Sequence, residues 1–102
     1  MFVLVSADGG GVSASVQDPQ NMKQLHAEFR GVADSVADHA LRDAGLGLVD
    51  GDHVWLVSSA LRTAGAGNAD WNDQFGAMLL YAASKGWADS DLEQVRAHIV
   101  RS

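Results

Sequence analysis

The sequence predicts an α+β fold: two antiparallel β-hairpins forming a small sheet, with one long helix and two to three shorter helices packed on it. The expected order is β-β-α-β-β-α-α-α. Three observations carry this. Two pairs of apolar runs are joined by glycine turns, at Asp8-Gly9-Gly10-Gly11 and at Asp50-Gly51. Two longer stretches, 18–44 and 70–85, repeat apolar residues every three or four positions. A chain of 102 residues that is 47% apolar has enough material for one core, so residues 1–102 are expected to form a single domain.

The first pair begins with Phe2 to Ser6, a run too short for a helix. Val12, Ala14 and Val16 then alternate with Ser13 and Ser15, the pattern of a half-buried strand. The glycines between them lead from strand to strand, and no Lys-Ser/Thr follows. They read as a turn rather than a phosphate loop.

Asp18-Pro19 reads as an N-cap followed by proline at the first helical position. Met22, Leu25, Phe29, Val32, Val36 and Ala40 continue at helical spacing to Gly45, giving a helix of about 26 residues. Gly31 lies within it and marks a kink, a close crossing or a break. Asp34, Asp38 and Arg42 share its polar side.

Leu46 to Val57 reads as the second hairpin, turning on Asp50-Gly51. A two-residue turn there sets Leu48 opposite His53 and Leu46 opposite Trp55. Ser58 to Gly65 makes a single helical turn. Asn68 or Asp70 caps the next helix, whose stripe is Trp71, Phe75, Met78, Leu79 and Ala82, with Lys85 and Gly86 closing it. Leu80 and Tyr81 fall outside that stripe, and Trp87 follows the end. Ser90 to Glu93 has the form of a capping box for a last helix reaching about Arg101.

The net charge is −6 and the seven basic residues are spread singly, which argues against nucleic acid and anionic membranes as partners. Without cysteine there is no disulfide, thiolate metal site or thiol nucleophile. The N-terminal apolar run is shorter than a signal peptide or membrane span, so a cytoplasmic setting is expected. His26, His39, His53 and His98 form no HxH, HxxxH or HExxH pattern, and no metal or cofactor is expected. Most aspartates fall at caps and turns, where they have structural roles.

His53 is the one catalytic candidate, because a histidine beside aromatic residues can act as a base when a carboxylate orients it. Trp55, Trp71, Leu80, Tyr81 and Trp87 are the ligand- or partner-binding candidates, since large apolar side chains off a packing stripe mark contact surfaces. The stretch ALRDAGLGLVDGDHVWLV resembles the helix and wing of winged-helix proteins. That resemblance implies a helix-turn-helix before it, but Asp34 and Asp38 make its reading helix a poor phosphate binder.

The leading expectation is a non-enzymatic protein-interaction or accessory domain that self-associates. The alternatives are a small-molecule binder or cofactor-independent enzyme with a pocket near His53 and Trp55, and a winged-helix-like module.

Overall fold

The computed structural model describes residues 1–89 and 91–102, and of Asp8 only the backbone. It has one six-stranded mixed sheet. The elements are β1 (Phe2–Asp8), β2 (Gly11–Gln17), β3 (His26–Arg30), α1 (Asp34–Asp43), β4 (Gly47–Asp50), β5 (His53–Val57), α2 (Ser58–Arg62), α3 (Ala69–Ser84) and β6 (Gln94–Arg101). A 3-10 turn, Thr63–Gly65, links α2 to α3.

The strand order across the sheet is β2-β1-β3-β6-β5-β4. β1 and β3 are parallel, as are β3 and β6; the other neighbours are antiparallel. The sheet curls into a half-barrel. Helix α1 touches both edge strands, β2 and β4, and so lies between the two open ends. That placement shields edges that would otherwise offer unpaired backbone groups to other chains.

This overturns the two-hairpin architecture in two places. The expected long helix from 18 to 44 is a turn, a strand and a ten-residue helix. Asp18 and Pro19 open a β-turn, with the Asn21 N–H donating to the Asp18 carbonyl at 3.1 Å. Proline suits the second position of such a turn as well as the first turn of a helix. Residues 26–30 then alternate in burial, with Ala27 and Phe29 inside and His26, Glu28 and Arg30 outside. Gly31 ends this strand with φ of +67°, which L side chains rarely adopt.

The expected last helix is the strand β6. Val95 and Ala97 are buried, while Arg96 and His98 point away from the core, a period of two. Val95, Ile99 and Val100 are β-branched and favour that outcome. Ser90 of the expected capping box lies outside the described residues. Its neighbour Asp89 instead accepts the Glu93 and Gln94 N–H groups at 2.8 and 3.2 Å.

Both hairpins form, but the second pairs one step out from the expected register. Asp50 stands opposite His53 and Leu48 opposite Trp55, so Gly51 and Asp52 form the turn. Gly51 alone has a positive φ, +62°. A single positive φ at the first turn position matches type II′, which takes glycine there, rather than type I′. The shift changes each residue's partner by two positions, from His53 to Trp55 for Leu48, so no residue moves to the other face.

The core lies between the sheet and all three helices. Val3, Val5, Ala27, Phe29, Val54, Leu56, Val95 and Ala97 supply the sheet side, and Ala37, Leu41, Leu61, Phe75 and Leu79 the helix side. Trp71 stacks on Phe75 at 5.0 Å, and its indole N–H donates to the Pro19 carbonyl at 2.8 Å. That bond ties the 18–25 loop to α3.

Two helices end by the same device. At α3, the Trp87 N–H donates to the Ala82 carbonyl and the Gly86 N–H to that of Ala83. At α1, the Leu46 N–H donates to Leu41 and the Gly45 N–H to Arg42. Each is a Schellman motif, and Gly45 and Gly86 hold the positive φ it needs, +70° and +78°. No helix among the described residues is long and apolar enough to cross a membrane.

Candidate functional site

The helices cover one face of the sheet only. Alternation sends Phe2, Leu4, His26, Glu28, Leu48, His53, Trp55, Arg96 and His98 to the other face, and none of them is fully buried. Cross-strand pairing sets three histidines side by side there: His26 beside His98 and His98 beside His53. Phe2 extends the row. Its ring stacks on His26 at 5.0 Å, and His26 stacks on His98 at 5.8 Å. Partial burial holds the His26 imidazole below its ordinary pKa, and the adjacent His98 adds to this while Glu28 opposes it. Stacked rings do not turn their nitrogens toward one point. No three metal-ligating side chains among the described residues are grouped to hold an ion.

A notch interrupts this face. β3 begins at His26, level with His98, so the first half of β6 has no strand on that side. The chain at Trp87 and Ala88 fills the gap: the Arg96 N–H donates to the Trp87 carbonyl, and Ala88 bridges to Val95. The Schellman turn at Gly86 is what returns the chain to this place. Trp87 is 42% exposed and meets Tyr81 edge-on at 6.3 Å.

Two cavities flank Trp87. One, of about 210 Å³, is lined by Leu25, His53, Trp87, Arg96, Ala97 and His98. The other, of about 130 Å³, lies between the 18–25 loop and α3, where Met22, Leu25, Met78 and Tyr81 meet Trp87 and Arg96. An open shelf along Met22, Lys23, Met78 and Tyr81 continues it over α3. Leu25, Trp87 and Arg96 belong to both cavities, so the two form one groove around the notch.

The structure therefore separates the sequence candidates. His53 and Trp87 meet in the first cavity, and Tyr81 and Trp87 in the second. Trp55 shares the open face with His53, but its indole N–H donates to Asp50 at 3.2 Å. Leu80 is 63% exposed on α3. Trp71 is buried in the core, on the opposite face of the sheet from His53 and Trp55. A pocket uniting His53, Trp55, Tyr81 and Trp71 is thus not formed.

Asp50 stands opposite His53 but accepts from Trp55. Among the described residues His53 has no carboxylate partner to orient it as a base. The segment before α1 is β3, so the hairpin does not follow a helix-turn-helix.

Met22, Lys23, Leu25 and Arg96 are groove residues that sequence reasoning did not single out. Their convergence depends on residues 26–30 and 94–101 being strands, and both segments read as helix. The period-two alternation of QVRAHIVR was the signal available.

Comparisons with family models, with curated proteins and with solved structures find no match for this chain.

Proposed function

We propose that this chain is a non-enzymatic protein-interaction domain that self-associates through the open face of its sheet. The observation that carries the reading is the pairing of Leu48 with Trp55 on a face that no helix covers. Phe2, Leu4 and Val100 add apolar side chains elsewhere on that face, with His26, Glu28, Arg96 and His98 between β1 and β5, and Leu80, Tyr81 and Trp87 lie exposed beyond the notch. Large apolar side chains that a small domain leaves uncovered, here interleaved with histidine and charged groups, support a contact site. A twisted sheet face packs against its like at about 10 Å, leaving room for side chains of this size. A cytoplasmic setting is the one we expect for it.

The test is sedimentation velocity over a wide range of protein concentration. The reading expects a monomer at low concentration converting to a dimer as concentration rises. A single monomeric species throughout contradicts it.

The cavity beside His53 supports a second reading, a small-ligand site in which His53, His98 and Arg96 supply the polar contacts. At about 210 Å³ it falls below the roughly 300 Å³ at which most ligand pockets begin, so only a small ligand fits. Titrating tryptophan fluorescence with a ligand panel, then repeating with His53→Ala, tests it. No ligand-dependent change in the wild type removes this reading.

A further inference from the structure

We infer that the groove around Trp87 docks a peptide segment of a partner protein, acidic in charge and anchored by large apolar side chains. The inference rests on reading the chain as an interaction domain, but it concerns a different surface from the open sheet face.

The distribution of cations is the argument. Seven Lys and Arg residues face thirteen Asp and Glu. Arg30, Arg42 and Arg101 are ion-paired, with Glu28, Asp38 and Asp34 respectively. Arg62 lies over the Phe75 ring at 5.0 Å. The remaining three, Lys23, Lys85 and Arg96, surround the groove. Lys23 and Arg96 line it, and Lys85 sits 5.6 Å from the centre of the Tyr81 ring. Among the described residues none of these three has a carboxylate partner, and no carboxylate lines either cavity. In a chain of net charge −6, this is a local cluster of unpaired positive charge around an apolar floor.

Met22, Met78 and Leu25 form that floor. Methionine is polarizable and adapts its shape, as suits a surface that takes varied apolar anchors. Tyr81 and Trp87 are large, stiff side chains of the kind that dominate binding energy at interfaces. Acidic residues flanking an apolar anchor would meet Lys23, Lys85 and Arg96 at the rim, where complementary charge speeds encounter and selects partners. A second copy docked symmetrically on the groove would instead bring both sets of cations together. A nucleic-acid strand would meet only three cations on an otherwise acidic protein, too few for the many phosphate contacts such binding uses.

The test is selection of a random peptide library on the full chain, with the double variant Lys23→Glu/Lys85→Glu as the comparison target. Both side chains are exposed. A circular dichroism melt shows whether the variant is folded. A second variant, Tyr81→Ala, removes an anchor without changing charge.

The expected winners carry Asp or Glu beside Leu, Phe or Trp and weaken as salt rises. They lose about tenfold or more in affinity on the charge-reversed variant, and they also weaken on Tyr81→Ala. Winners without acidic residues, winners indifferent to both variants, or no enrichment would overturn the inference. So would binding of a single-stranded oligonucleotide in place of peptide. If wild type and variants still dimerise while the peptides ignore the variants, the groove inference fails alone. If the chain stays monomeric and no peptide is enriched, the interaction reading fails with it.

Discussion

Trp55 and Leu56 are neighbours in β5 and lie on opposite faces of the sheet. Leu56 is fully buried against the helices. Trp55 is half-buried, with no helix over it and Leu48 across the strand pair. The same alternation runs through β3 and β6, where Ala27, Phe29, Val95 and Ala97 turn inward while His26, Glu28, Arg96 and His98 turn outward. The inward set is small and aliphatic or aromatic, chosen by close packing against Phe75, Leu79 and Leu41. The outward set mixes aromatic, imidazole and charged groups, which packing against one's own chain does not require. The contrast teaches that one face of each strand builds the fold and leaves the other free to meet something else.

The most severe way to probe the covered face is Phe75→Ala. Phe75 is fully buried, stacked on Trp71 and capped by the Arg62 guanidinium. Its truncation should cost about 3–5 kcal/mol, read as a lowered midpoint in urea or heat. A loss below about 1 kcal/mol would mean that the helix layer is not the core.

At the notch where the two faces meet, Gly86→Ala is the sharper probe. Alanine at φ +78° should cost about 1–2 kcal/mol. It should also loosen Trp87, seen as a shifted tryptophan emission that Trp87→Phe removes. An unchanged spectrum and melt would show that the Schellman turn does not position Trp87.

The smallest expected effect belongs to the open face. His26 has a folded pKa below its ordinary value of 6.5. The unfolded chain therefore takes up a proton first as pH falls. Stability from this group is complete above 6.5 and is lost as pH drops from there through the folded value. His98, Glu28 and the N-terminal amine are the titratable groups that act on it, with His53 one strand further on beside His98. Melting temperature should fall on acidification below neutrality, and His26→Gln should flatten that fall. The same slope in wild type and variant would assign it to other groups. Asp38, held low chiefly by the Val49 N–H and then by Arg42, contributes in a separate, more acidic window.

The elements legible in the sequence were those with local punctuation. Glycine turns gave both hairpins, and Asn68, whose side chain accepts the Trp71 N–H at 2.9 Å, together with Gly86, bracketed α3. Residues 26–30 and 94–101 were not legible because Leu25 and Phe29, and likewise Val95 and Ile99, are four apart, a spacing that satisfies a helical period as well as a strand one. What decided them was the pairing of β3 with β1 and of β6 with both β3 and β5, long-range contacts that no local window contains. The site followed the same rule. Leu80, Tyr81 and Trp87 stood out because they lie off the stripe of α3. Lys23, Leu25 and Arg96 became groove residues only once two supposed helices were strands.

The central claim, that the sheet divides its labour between two faces, is tested most directly on adjacent residues. Trp55→Glu and Leu56→Ala should each be followed by thermal melting and by sedimentation. Trp55→Glu should leave stability within about 1 kcal/mol and abolish the concentration-dependent dimer. Leu56→Ala should cost about 2–5 kcal/mol and leave association of the folded protein intact. A Trp55→Glu protein that still dimerises, or that unfolds as readily as the Leu56 variant, would contradict the account.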